Sequence, residues 1–342
     1  MNLQKPIFIA FLLSNIIITK VYAECTCEPQ EIPGDKNKAL KYKLIALASI
    51  LVSGGIGVSI PFAGKIIPAL RPEKDGFFVV KAFAAGVILA TAFIHILPQA
   101  FASLTSPCLK EHPWGDFPFT GLVAMMATIA TLLFETSSAA YQVRAAATKV
   151  VGNGGDEEMN DGVVVESHGH VHVSMFGVDD PEVRRYRIVS QVLELGIIVH
   201  SVIIGLSLGA SKTPKTIKPL LAALSFHQFF EGLGLGGSIF QAKIKPVTVI
   251  LMGASFALTT PSGIVIGILV SNTYNENTSK ALMVQGVLNA ASAGILIYMA
   301  LVDLLSPDFK NPRMQNNKIL LLSSNISLFL GVGLMSLLAL WA

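Results

Sequence analysis

Eight stretches of about twenty mostly apolar residues recur along the 342-residue chain, each long enough to cross a hydrocarbon core of about 30 Å as a helix. They cover 44–64, 77–101, 118–140, 187–209, 217–240, 247–270, 281–304 and 319–341. Within lipid a lone segment satisfies its backbone only as a helix, so the expected fold is an all-α polytopic membrane protein with eight transmembrane helices. The composition agrees: 52% of residues are hydrophobic and 14% charged, with a mean hydropathy of +0.61. A net charge of +3, with no basic block alternating with aromatics, excludes nucleic-acid binding.

Residues 1–23 place Lys5 ahead of the apolar run PIFIAFLLSNIII and end in Val21-Tyr22-Ala23, which reads as a signal peptide cleaved before Glu24. An extracellular tail, 24–43, follows, and an even number of spans returns the C-terminus to the same outer side. The positive-inside bias favours this orientation. Lys65, Arg71, Lys74, Lys81, Arg144, Lys149, Arg184, Arg185 and Arg187 fall inside, against Lys110, Lys212, Lys215, Lys218 and Lys280 in the outer loops. Cys25, Cys27 and Cys108 lie on the outer side, where Cys108 could bridge to the tail, and none lies in a span. Helices one to three occupy 44–140, and a Gly-, Asp- and Glu-rich cytosolic loop without helical periodicity fills 141–186. Helices four and five occupy 187–240, and the last three lie within 241–342. This three–two–three grouping permits inverted structural symmetry. A secretory signal suits the plasma membrane, the expected location, as well as an internal compartment.

Ionisable residues inside spans cost about 2.5 to 3.5 kcal/mol each on insertion scales and so mark function. His200 in the fourth span and His227 in the fifth sit at matching depth near the middle of the bilayer. His227 and Glu231, four residues apart, share a helix face. The short connection between these spans favours their packing together, converging two imidazoles and a carboxylate into a central metal site between helices four and five. That donor set suits first-row divalent ions rather than Mg(II) or Ca(II). Ser201 and Gln228, one residue beyond each histidine, could add neutral oxygens. The competing reading makes His227 and Glu231 a neutral helix-stabilising pair and lets His200 bond a carbonyl. Glu194, rotated about 240° from His200 at about 100° per residue, is off the ligand face and lines the cytosolic exit or pairs locally. Gly205 and Gly209, with Gly232, Gly234, Gly236 and Gly237, let the fourth and fifth helices approach closely, and Pro261 breaks or kinks the sixth. His168, His170 and His172 in the cytosolic HGHVH motif alternate along the chain, able to chelate from one side of an extended strand.

Taken with FAAGVILATAFIHILP (83–98), TTPSGIVIGI (259–268) and LNAASAGILIYMALVDLL (288–305), the segments HSVIIGLSLG (200–209) and HQFFEGLGLGG (227–237) resemble the ZIP family of zinc and iron permeases, in its plant branch. The resemblance covers essentially the whole mature chain. It implies a binuclear-type site between helices four and five, import of divalent metal toward the cytosol, and a homodimer. By that resemblance His200, His227 and Glu231 are primary ligands, and Ser201 and Gln228 form a neighbouring secondary site. His95 becomes an entrance ligand, and Glu135 stands at an acidic position. Two departures matter: Ile204 replaces a carboxylate found in many members, and Gln99 replaces the acid of the iron importers' HVLPD. Both tilt the expected cargo toward Zn(II), with Fe(II), Mn(II) and Cd(II) as further cargoes. Metal is then substrate, and no prosthetic group is expected. Two rival readings are an intramembrane zinc-dependent hydrolase, against which the chain has HQFFE and no HExxH motif, and a metal sensor, for which eight spans are excessive.

Overall fold

The computed structural model describes residues 36–64, 74–152, 181–271 and 278–340. The expected signal peptide, 24–35 of the expected tail with Cys25 and Cys27, and the HGHVH motif lie outside these residues, while 36–43 of that tail are wound into the first helix. Among the described residues, eight long helices carry the fold: α1 Lys36–Ala63, α2 Asp75–Leu104, α3 Phe119–Gly152, α4 Pro181–Ala210, α5 Pro214–Gln241, α6 Pro246–Val270, α7 Ser279–Phe309 and α8 Lys318–Ala339. No strand occurs among the described residues. Seven of the eight are long and apolar enough to cross a membrane. The exception is α5, the helix that carries His227, Gln228 and Glu231 among its apolar residues.

Boundaries differ where the chain leaves the apolar runs. Helix α3 continues to Gly152, past the expected loop start at 141, because SSAAYQVRAAATKVVG is rich in good helix formers and needs no lipid to stay wound. Helix α4 starts at Pro181 for a related reason: proline is suited to the first turn of a helix. Helix α6 runs unbroken through Pro261.

Helix α1 packs chiefly on α5 and α4 on α6, while α2 packs on both α8 and α7 and α3 packs on α7, and the eight sort into two quartets, α1/α4/α5/α6 and α2/α3/α7/α8. They meet chiefly where α4 crosses α7 and α2 crosses α5. The glycines do not serve an α4–α5 contact as expected. A Cβ on Gly209 would come within 2.3 Å of the Ile264 carbonyl oxygen, and one on Gly267 within 2.3 Å of that of Leu206, so this seam joins α4 to α6. Gly57 and Gly236 likewise seat α1 against α5, where an added Cβ would come within 2.1 and 2.4 Å of the Phe229 and Val58 oxygens. Where lipid tails are as apolar as leucine, such close backbone approach supplies the packing attraction that hydrophobicity cannot.

Gly267→Val should therefore force the α4–α6 seam apart at about 1 to 3 kcal/mol, lowering the thermal midpoint in detergent. Gly333→Ala, whose added methyl meets nothing within 4 Å, should leave that midpoint unchanged.

Candidate metal centre

Three imidazoles meet where the quartets touch. His95 comes from α2, His200 from α4 and His227 from α5. Their ring centroids are 6.3 Å apart for His95–His200, 5.8 Å for His95–His227 and 6.0 Å for His200–His227. All three are buried, as are Ser201, Gln228 and Glu231.

Local backbone geometry presents His95. Residues Thr91–Ile96 wind as a π-helical segment within α2. Pro98, just beyond, has no N–H to return to the preceding turn, and the Thr91 hydroxyl donates to the Val87 carbonyl at 2.9 Å. Such π-bulges re-aim side chains and recur at functional sites.

Most buried polar side chains have a protein partner, yet here the exceptions cluster. His95 Nε2, both ring nitrogens of His200, His227 Nδ1, Ser201 Oγ and both carboxylate oxygens of Glu231 accept or donate no hydrogen bond within the protein. Buried groups of this kind cost free energy unless something polar or cationic satisfies them. A divalent cation would satisfy several at once, being drawn to the carboxylate and coordinated by imidazole nitrogen. Rings sharing one zinc at about 2.1 Å would have centroids about 5 Å apart, so the triangle stands about an ångström too open for full ligation. Accordingly, no three His, Cys, Asp or Glu side chains among the described residues are drawn up around a single ion.

Gln228 has a partner from a third helix. Its Oε1 accepts from Thr260 Oγ1 of α6 at 3.1 Å, leaving Nε2 unpartnered. Gln99, one turn beyond His95, is half-buried. Glu194 bonds Ser255 of α6 and does not join the histidines. Glu135 lies in a separate cluster: its Oε2 accepts from the Tyr298 hydroxyl at 2.6 Å and its Oε1 lies 3.7 Å from Arg185 Nε. The fourth member, Asp303, was missed from sequence, although a buried acid inside a span carries the same warning as Glu231. Cys108 is disulfide-bonded.

A helical, membrane-crossing protein that gathers unpartnered imidazoles and a carboxylate between two helix groups belongs to the class that handles metal ions inside the bilayer. Residues 40–339 match the family described as ZIP Zinc transporter, and the chain belongs to that family. It is 49% identical to "Zinc transporter 9" of Oryza sativa subsp. japonica over 97% of this chain and 98% of that protein. It is 49% identical to "Zinc transporter 3" of Arabidopsis thaliana over 99% and 98% respectively. A third relative, "Zinc transporter 3" of Oryza sativa subsp. japonica, is 51% identical over 93% of each chain. The protein is thus a transporter of divalent metal and not an enzyme, and the hydrolase reading has no support.

Thr260→Val should strand the buried Gln228 oxygen and cost about 1 to 3 kcal/mol, whereas Thr260→Ser should keep the bond. Thermal unfolding of the two variants in detergent separates them.

Proposed function

We propose that the protein carries zinc toward the cytosol through eight membrane spans, α5 included. The observation that carries this reading is the triangle of buried imidazoles, each with at least one ring nitrogen that has no protein partner, together with the unpartnered Glu231 carboxylate one turn from His227. An isolated acid in hydrocarbon is costly, and a dication arriving between it and neutral imidazoles removes that cost. His200, His227 and Glu231 are then the primary ligands, with Ser201 and Gln228 beside them. His95, expected only at the entrance, closes the set from the opposite quartet.

The ion enters past Gln99 and leaves past Glu135 and Glu194 to the cytosolic loop, where His168, His170 and His172 accept it. The names of the relatives support zinc as cargo. The neutral Gln99, where iron importers carry an acid, points the same way. In this reading residues 1–23 are removed, both termini face outward, and the mature chain works as a homodimer in the plasma membrane.

His227→Ala and Glu231→Ala, at equal surface expression in transporter-deficient cells, should each reduce radiolabelled zinc uptake by about tenfold or more. Unchanged uptake would overturn the assignment. His95→Ala tests whether the second quartet contributes a ligand: Co(II) binding to purified protein should weaken by about tenfold or more, with fewer nitrogen ligands in its absorption spectrum.

A further inference from the structure

A second polar cluster joins the quartets away from the histidines. Arg185, near the start of α4, reaches across to the other quartet. Its Nη2 lies 3.4 Å from Asp303 Oδ1 and donates to the Val302 carbonyl at 3.4 Å, while its Nε faces Glu135 of α3 at 3.7 Å. Asp303 and Val302 belong to a second π-helical segment, Met299–Leu305 of α7. Pro307 follows it as Pro98 follows the first, and its missing N–H leaves a carbonyl of the preceding turn for another donor.

Two other ion pairs sit near this end of the helices and differ in kind. Lys81 Nζ meets Asp308 Oδ1 at 3.0 Å, with side chains only 5% and 11% exposed, and Arg313 pairs with Asp75 at 2.6 Å. Both are short and both join elements within the second quartet. The Arg185 contacts are longer, and the Arg185 side chain is 34% exposed. Water can therefore take over on the guanidinium as it withdraws, leaving one buried acid, Asp303 at 1% exposed, to wait for its return, whereas breaking the dry Lys81 pair would strand both partners.

We propose that Arg185 is a latch between the quartets, one that must open and close in every transport cycle. The inference rests on the proposed metal site, whose ligands come from both quartets. An ion can be stripped of such ligands only if the quartets shift against each other, as carriers that alternate access generally require. Any such shift pulls α4 past α3 and α7, where Arg185 holds them together. The Lys81 pair, inside one quartet, travels unbroken. Arg185 is accordingly a positioning residue and touches no cargo.

The test uses the full chain in proteoliposomes with radiolabelled zinc. Arg185→Cys with Val302→Cys, an α7 residue beside Arg185 that is 39% exposed, is linked by a short bifunctional methanethiosulfonate, and Lys81→Cys with Asp308→Cys is the control. Linking across the quartets should lower uptake by about tenfold or more, with recovery on reduction, while the control link should leave uptake within about twofold of its unlinked rate. Complete linking of Arg185→Cys to Val302→Cys with uptake preserved overturns the latch. Should that double variant not fold, Arg185→Cys alone is treated with a cationic or an equal-sized neutral thiosulfonate. The cationic reagent should restore the maximal rate at unchanged half-saturating zinc, and equal effects of the two overturn the latch. Because the metal site is tested separately by His227→Ala and Glu231→Ala, failure of either reading is visible without the other.

Discussion

The architecture depends on one electrostatic problem: a carboxylate and three imidazoles must be held buried without protein partners for most of their polar atoms. Glu231 and the three imidazoles have no protein hydrogen-bond partner on the atoms that face one another, and their desolvation is uncompensated by the fold itself. Tight packing elsewhere must carry that cost. The glycine seams do so, since α1–α5 and α4–α6 approach until backbone touches backbone, multiplying dispersion contacts where lipid offers no hydrophobic gain. His200 and His227 are thereby anchored in a rigid quartet. His95 belongs to the other one.

The division explains the two π-helical segments. An α-helix presents residues at fixed angles, and a helix buried among neighbours cannot rotate to aim one side chain. Inserting a residue into the turn solves this locally, and a proline just beyond makes the irregular winding less costly by removing a donor that would otherwise demand a partner. Helix α2 uses the device at Thr91–Ile96 to deliver His95, and α7 uses it at Met299–Leu305 to deliver Asp303. Both segments lie in the C-terminal half of their helices. The two polar clusters thus occupy comparable places on oppositely directed helices, as inverted repeats would arrange them.

Much of this was legible in the residues alone. Lengths of apolar runs located the helices because backbone satisfaction in lipid leaves no alternative, and rare buried ionisable groups singled out His200, His227 and Glu231. What sequence could not provide was which helices touch. Adjacent spans with a short connection suggested an α4–α5 pair, whereas the glycines of each face α6 and α1; short-range connectivity constrains neighbours in a membrane less than complementary small-residue faces do. For the same reason His95 was read as an entrance residue. Nothing in FIHILP states that the bulged turn brings the ring level with two others. The Arg185–Glu135–Asp303 cluster depends on three helices distant in sequence, so its members were visible only one at a time.

Ile204 bears on how many ions such a site can hold. It is buried in an apolar cluster with Leu208 and Ile264, where many family members would carry an acid. The polar groups beside the histidines, Ser201, Gln228 and Thr260, are neutral, and the Gln228 oxygen is already engaged by Thr260. One dication against Glu231 alone leaves the cluster with one net positive charge. A second dication a few ångströms away would raise it to three, in a medium where like charges repel far more strongly than in water. On the proposed metal-site reading, the position that would balance a second ion is filled by a hydrocarbon side chain packed against α6.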